Sequence, residues 1–240
     1  MGHGKGDRAV TSLLRQHLQA GNIRRIARGV FAAVPPHASA ETWVVDRYLA
    51  ASKLKADAVL AYHSALELHG VAYTDTPEVQ AVSAGEPVLF ETPDFSCRFW
   101  KRPAGFSAKR DVTRIDRAGL EVRVTTLERT LVDLFDRPDL AGGADELWSS
   151  LPLVVRLKGD DLVAQARDVK SAAAAASLGW WLDSEQSRLG VPKRVVEELR
   201  TLRPKHPQYV LGAKIGEAKS IAAWNILVPL GLVSSSFEGA

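Results

Sequence analysis

The histidines and the one cysteine are the first residues to test for metal or nucleophilic chemistry. His63 and His69 are six positions apart, so they do not share a helical face, whereas a helical zinc pair needs a spacing of four. His63 and Glu67 have that spacing, but the sequence indicates no third ligand for them. Cys97 has no CxxC partner and is interpreted as a buried structural thiol. We therefore predict no metal site and no catalytic nucleophile.

The segment around Glu217 and Lys219 has the E-x-K spacing of a metal-dependent nuclease. Such a site needs a further carboxylate on a preceding strand to hold Mg²⁺, and no acid lies between Glu198 and Glu217. Gly212 and Gly216 do not have the spacing of a phosphate-binding glycine loop. We therefore predict no catalytic residue, no enzymatic activity and no cofactor.

Positive charge is concentrated at the N-terminus. The formal net charge is only +3, yet residues 1–31 contain six Lys or Arg and one acid, whereas later segments are nearly balanced. A basic patch on a nearly neutral body is typical of a nucleic-acid contact. The same charges also fit a basic surface that only meets solvent, and charge alone does not separate the two interpretations.

The same basic segment has the pattern of a helix followed by a hairpin. Val10, Leu14 and Leu18 recur at helical spacing, and Gly21 is a helix stop. Two short β-prone runs then flank Arg28-Gly29, which predicts a hairpin. Helix, glycine and basic hairpin form the tail end of a winged helix–turn–helix, in which the helix enters the major groove and the hairpin lies on phosphate.

A strand that runs into a capped helix is predicted over residues 122–138. Thr125 and Glu128 have capping-box spacing, and Arg129 and Asp133 are four apart, so that they can pair along one face. Pro138 is expected to end this helix. Helix capping, side-chain pairing and the proline stop account for these residues, so the pattern by itself indicates a structural role and no catalytic one.

The remaining chain predicts an α+β protein in three parts. Residues 1–36 would be a remnant winged helix–turn–helix, 37–140 a mixed α/β middle domain, and 141–240 a mainly helical C-terminal domain. In the middle part, His63 would begin a helix that Gly70 ends. In the C-terminal part, the composition of an alanine-rich run favours close helix packing, and Gly179 is the candidate position for a break in it. The single cysteine fits a reducing cytoplasm, and no apolar run is long enough to span a membrane.

Four blocks of sequence resemble the AbiEi family of antitoxins, the regulatory halves of type IV toxin–antitoxin pairs. They follow one another in the family's order and together span roughly residues 10 to 230. One departure is that only twenty residues precede Gly21, so two early helices of a winged domain are either absent or encoded upstream. The blocks are G-N-I-R-R-I-A-R-G-V-F at 21–31, Y-H-S-A-L-E-L-H-G-V at 62–71, E-R-T at 128–130, and S-L-G-W-W-L-D at 177–183 with W-N-I-L-V-P at 224–229.

The resemblance implies an antitoxin and transcriptional regulator in phage defence by abortive infection. Its N-terminal domain would bind inverted repeats in its own promoter, and the symmetry of such an operator favours a homodimer. Its C-terminal domain would neutralise a nucleotidyltransferase-type toxin. The predicted DNA-binding residues are Arg8, Arg15, Gln16 and Gln19 on the helix, and Arg24, Arg25 and Arg28 on the hairpin.

The predicted toxin interface lies in the C-terminal part. One tryptophan of the Trp180-Trp181 pair, taken as Trp181, would contact the toxin. A basic cluster would contact it too, through Lys193, Arg194 and Arg200, and Arg203 and Lys205 belong to the same cluster. Core packing of both tryptophans and a solvated basic face are the structural alternatives. Two functional alternatives stay open: an antitoxin that acts by protein interaction without DNA binding, and one that inactivates its toxin by covalent modification such as phosphorylation.

Overall fold

The N-terminal helix and hairpin are present as the sequence predicts. The structure, a computed structural model, describes residues 5–103 and 105–235. Helix α1 (Lys5–Gln19) is followed by the antiparallel strands β1 (Ile23–Ala27) and β2 (Val30–Ala33). Gly21 and Gly29 both have positive φ, +70° and +78°, a conformation that L side chains rarely adopt. The two glycines therefore end the helix and turn the hairpin, and α1 packs against β1.

A six-stranded mixed sheet forms the middle of the molecule. Its order is β5-β6-β4-β3-β8-β7, with parallel pairs β4–β6 and β3–β8 and antiparallel pairs elsewhere. The mixed α/β architecture agrees with the predicted α+β class. The strands are β3 (Val59–Leu60), β4 (Glu78–Ser83), β5 (Val88–Glu91), β6 (Ser96–Lys101), β7 (Val112–Arg117) and β8 (Leu120–Thr125).

The sheet separates two hydrophobic cores. Alternate residues of a strand face opposite sides, so Leu60 enters one core and its neighbour Val59 enters the other. Helix α2 (Arg47–Leu54), capped by the Asp46 carboxylate, covers the first face together with the N-terminal hairpin. The second face packs against the helices that follow the sheet.

Helix α3 (His63–His69) and helix α4 (Leu127–Asp136) lie next to each other beside the sheet. Gly70 ends α3 with φ +71°, and its amide donates to the carbonyl oxygens of Glu67 and Leu66, as the sequence predicts. Pro138 begins a short 3₁₀ turn directly after α4, which confirms it as the stop.

The predicted capping box at the start of α4 is wrong by one residue. Thr126, not Thr125, is the N-cap, and its hydroxyl accepts a hydrogen bond from the Arg129 amide at 3.3 Å. The Thr125 hydroxyl instead bonds that of Thr130 at 2.7 Å inside the fold. Glu128 does not reach back to the cap, because its carboxylate accepts the amide of Lys158 at 2.8 Å.

The C-terminal part is helical up to residue 201 and then adds a small sheet that the sequence does not predict. Strands β9 (Gln208–Tyr209), β10 (Ala218–Ile221) and β11 (Ile226–Pro229) are ordered β10-β11-β9. No helix in the described part of the chain is long and apolar enough to cross a bilayer. The helices are α5 (Ala144–Ser150), α6 (Gly159–Val169), α7 (Ala172–Glu185), α8 (Lys193–Thr201) and α9 (Leu230–Ser235).

Gly179 does not break the alanine-rich helix. Helix α7 runs through it without interruption. A Cβ at Gly179 would lie 2.3 Å from two atoms of the Trp224 ring, so the missing side chain makes room for that ring. The prediction failed because the reason for the glycine is a residue 45 positions away, on the segment that leads into β11.

Candidate nucleic-acid interface

Helix α1 presents its polar face to solvent. Arg15, Gln16 and Gln19 are all exposed, as expected of residues that would face DNA bases. The apolar residues Val10 and Leu13 of the same helix are also more than half exposed. Only Leu14 and His17 among residues 9–19 are half-buried, so most of the helix surface outside its contact with β1 is exposed. Arg8 is also predicted to bind DNA, but its side chain lies outside the part of the chain that the structure describes.

The hairpin divides its arginines between two directions. Arg24 and Ile26, two positions apart on β1, face the body, and Ile26 is 4% exposed in the core on the α2 side of the sheet. Arg25 and Arg28 are exposed, and neither forms an ion pair with another residue of the described chain. Their guanidinium groups are therefore open to a ligand.

Arg24 serves as the anchor of the hairpin rather than as an open cation. Its Nη1 donates to the carbonyl oxygen of Trp43 at 2.9 Å, and its Nη2 pairs with the Asp94 carboxylate at 2.5 Å. The guanidinium also lies over the Trp43 ring, 5.7 Å from its centroid. These contacts turn the group toward the body, so the phosphate contact predicted for Arg24 would have to compete with Asp94.

The positive groups left on this surface suit a polyanion. Arg15 on the helix and Arg25 and Arg28 on the hairpin are long, exposed donors, and guanidinium groups bind phosphate oxygens with two parallel hydrogen bonds. A hairpin fixed by Arg24 and Ile26 can hold the backbone of its outer arginines in place before binding, so that only their side chains have to be ordered. We call this surface, defined by Arg15, Arg25 and Arg28, the N-terminal basic surface.

The predicted basic cluster on α8 is partly neutralised. Arg194 pairs with Asp160 at 2.6 Å and with Glu198 at 3.6 Å. Arg200 pairs with Asp183 at 3.0 Å. Lys193 is exposed at the start of the helix. All three residues lie on α8, but only Lys193 has a charged group without an ion pair to another described residue.

The two adjacent tryptophans have opposite placements, and the predicted one is the core residue. Trp181 is 5% exposed and packs against Phe135, with ring centroids 6.1 Å apart. Trp180 is half-buried and stacks on Trp148 at 4.9 Å. An interface tryptophan on α7 would therefore be Trp180, because the next residue along a helix points about 100° away.

Arg129 and Asp133 pair as predicted, within a buried network that the sequence does not reveal. Arg129 Nε donates to both Asp133 oxygens at 2.9 and 3.0 Å, and its Nη1 donates to Asp111 at 3.1 Å. Burial works to raise the pKa of Asp111, but hydrogen bonds from Arg110 and from the Ser107 amide bring it below its usual value. Arg129 and Asp111 have no exposed side-chain surface, so this motif holds the fold together.

His63 also lies in a buried network, which involves carboxylates from two helices. Its ring nitrogens lie 3.4 Å from Glu67 and 3.4 Å from Glu146. Burial works to raise the pKa of Glu67, but hydrogen bonds from His63, from the Tyr48 hydroxyl and from the Thr76 amide bring it down to about 2. No group of three metal-ligating side chains occurs among the described residues. His63 thus ties α3 to α5.

Comparison with known proteins identifies the fold alone. No protein-family model matches this sequence, and no curated protein matches it. The structure is similar to the crystal structure of the Rv2827c protein from Mycobacterium tuberculosis, with a TM-score of 0.64 over 95% of this chain and 83% of that chain. The two sequences are 17% identical, so the likeness extends to the architecture and not to an activity.

Proposed function

We propose that this chain is an AbiEi-type antitoxin that also represses its own promoter by binding DNA. The proposal rests on two supports of different kinds. The first is the resemblance of four sequence blocks to that family. The second is the N-terminal basic surface, where exposed arginines stand on a hairpin that is fixed to the body. The anchored hairpin with Arg25 and Arg28 pointing outward is the observation that carries the DNA-binding role.

The proposed complex places α1 against the major groove and the hairpin on the flanking phosphates. In a winged helix–turn–helix the helix supplies base contacts and the wing lies on the backbone. Arg15, Gln16 and Gln19 are exposed on α1 and would meet base edges, while Arg25 and Arg28 would meet phosphate. Inverted repeats would be bound by two copies, because a two-fold operator matches a two-fold dimer.

The C-terminal part is proposed to neutralise a nucleotidyltransferase-type toxin by direct contact. This role comes from the resemblance of residues 177–183 and 224–229 to the family's C-terminal domain. Lys193 is exposed and forms no ion pair with another described residue, and Trp180 is the tryptophan of the pair that solvent reaches. These two side chains are therefore the first to test for contact with the toxin. The toxin would then be held in a complex rather than chemically altered.

The DNA-binding role is tested by the salt dependence of promoter binding. Fluorescence anisotropy would follow a labelled duplex of the chain's own promoter over a series of salt concentrations. Each lost phosphate contact lowers the slope of log K against log salt by about 0.9, so Arg25→Gln with Arg28→Gln should lower it by about 1.8. A matched control removes the same charge at Arg114 and Arg167, which are already paired with acids.

Three outcomes separate the alternatives. Weaker binding and a smaller slope in the hairpin variant alone support the repressor. Duplex binding that is equal in wild type and hairpin variant contradicts the assignment of this surface. No promoter binding at all, together with rescue from the toxin, would instead establish an antitoxin that acts by protein interaction only.

The antitoxin role is tested by growth. The neighbouring gene and this chain would be expressed from separate inducers, with colony counts as the readout. The Arg25→Gln, Arg28→Gln variant should rescue growth as well as the wild type, because its changes lie outside the C-terminal part. A harmless neighbour, or growth that is not restored, counts against the antitoxin role. A nucleotide-dependent mass change of the toxin would point to covalent modification instead.

A further inference from the structure

A second positive surface lies at the end of α8 and is distinct from the N-terminal basic surface. Residues 199–216 contain four Lys or Arg, one His and no acid. Arg203, Lys205 and His206 follow the helix on an exposed loop. Neither Arg203 nor Lys205 forms an ion pair with another residue of the described chain. Unbalanced charge of this kind attracts a polyanion.

A shallow pocket of about 380 Å³ is built into this surface. Asn225 has φ +51° just before β11, and its side-chain amide donates to the carbonyl oxygen of Pro204 at 2.9 Å. This bond holds the loop after α8 against the small sheet. The pocket is lined by Arg200, Thr201, Arg203, Pro204, Lys205 and Asn225.

Arg200 lines this pocket, but its charge is already paired with an acid. Its guanidinium lies over the Trp224 ring at 4.9 Å, and its Nη2 binds Asp183 at 3.0 Å, so the group is held in one orientation. Its Nε–H is buried and has no hydrogen-bond partner. Because that nitrogen has no exposed surface and Asp183 already pairs with the group, the unpaired positive charge at the pocket comes from Arg203 and Lys205.

An exposed aromatic ring lies on the strand next to the pocket. Tyr209, on the edge strand β9, is 48% exposed. The preceding residue, Gln208, donates its amide to the carbonyl oxygen of Asn225 at 3.1 Å, which places β9 beside the pocket wall. Basic groups that track a backbone beside an aromatic ring are the usual elements of a single-strand binding surface.

We propose that this surface binds single-stranded nucleic acid. A backbone phosphate occupies the pocket and accepts hydrogen bonds from Arg203 and Lys205. An unpaired base of the same strand stacks on Tyr209, and such stacking tolerates any sequence. A duplex keeps its bases stacked inside and cannot use the ring. This function does not depend on the proposed repressor role, because it uses a different surface.

The test measures binding of the full chain to a fluorescein-labelled oligouridylate of about 12 nucleotides by anisotropy. Arg203→Gln with Lys205→Gln should weaken binding and lower the salt slope by about 1.4, since each phosphate contact on a single strand contributes about 0.7. Tyr209→Leu should weaken binding about fivefold or more through lost stacking. The Arg114→Gln, Arg167→Gln variant, with the same loss of charge, should bind as the wild type does.

Several results would overturn the proposal. One is the absence of binding to the oligonucleotide. Another is a Tyr209→Leu variant with unchanged affinity, since an acidic protein segment would explain the charges equally well. Competition by polyglutamate at equal charge concentration would favour that acidic partner. If Arg25→Gln with Arg28→Gln abolishes single-strand binding while the pocket variant keeps it, the single strand is bound by the N-terminal basic surface.

Discussion

The glycine in the middle of α7 gives a sharp test of how the C-terminal part is packed. A Cβ at Gly179 would lie 2.3 Å from Cη2 and Cζ3 of Trp224, far inside van der Waals contact. Trp224 is 1% exposed, so its ring has no open space into which it can move. We therefore predict that Gly179→Ala destabilises the protein, although alanine is the better helix former.

Two opposing effects set the size of this change at Gly179. Overpacking a filled core costs about 1–3 kcal/mol, and a contact as short as this one belongs at the upper end, about 3 kcal/mol. Alanine in place of glycine stabilises a helix interior by about 1 kcal/mol. The expected net loss in free energy of unfolding is therefore about 2 kcal/mol.

Urea denaturation followed by far-ultraviolet circular dichroism measures the effect. Gly231→Ala in α9 is the matched control, because an added Cβ there meets nothing within 4 Å, and it should be as stable as the wild type or slightly more so. In a Trp224→Phe background the smaller ring should relieve most of the cost of Gly179→Ala. A Gly179→Ala variant at least as stable as the wild type would refute the packing argument.

Two further predictions concern the buried ionic networks. Arg129→Met should lower the free energy of unfolding by about 3–5 kcal/mol in denaturant titration, because it leaves Asp111 and Asp133 buried without their shared partner; a loss below 1 kcal/mol, about that of a surface pair, would contradict the role of the network. Burial opposes protonation of His63, but its hydrogen bond to Glu67 raises the pKa above the ordinary value. The stabilisation from protonated His63 is then complete below about pH 6.5 and is lost as the pH rises through the folded-state pKa. Denaturation midpoints measured as a function of pH should therefore decline less in the His63→Gln variant than in the wild type. The same pH profile in both proteins would contradict a stabilising role of protonated His63.

Local signals in the sequence were sufficient for elements whose causes lie within a few residues. Gly70 ends α3 because only a left-handed residue closes that turn without strain, and Pro138 ends α4 because it cannot continue a helix. The pairing of Arg129 with Asp133 follows from their spacing of four. Each of these features can be derived without knowledge of the tertiary fold.

Features that depend on distant partners could not be derived in this way. Glu128 has capping-box spacing, but the fold brings the Lys158 amide to it from 30 residues away. Trp181 and Trp180 are equivalent in the sequence, and only the packing of α7 against Phe135 decides which of them is buried. The three-stranded sheet could not be predicted for a related reason, since a strand of two residues such as β9 has no periodicity to detect.

The candidate interface shows the same limit in a form that bears on function. Arg24, Arg25 and Arg28 are chemically alike, and the sequence assigns all three to phosphate. Arg24 and Arg25 point to opposite sides because successive residues of a strand alternate. Asp94 and Trp43 lie on the side of Arg24, which makes that arginine the anchor of the hairpin. Because Arg24 is paired with Asp94, the surface offers fewer phosphate contacts than its number of arginines suggests. The hairpin that carries Arg25 and Arg28 is already fixed to the body, so binding would have to order their side chains but not its backbone.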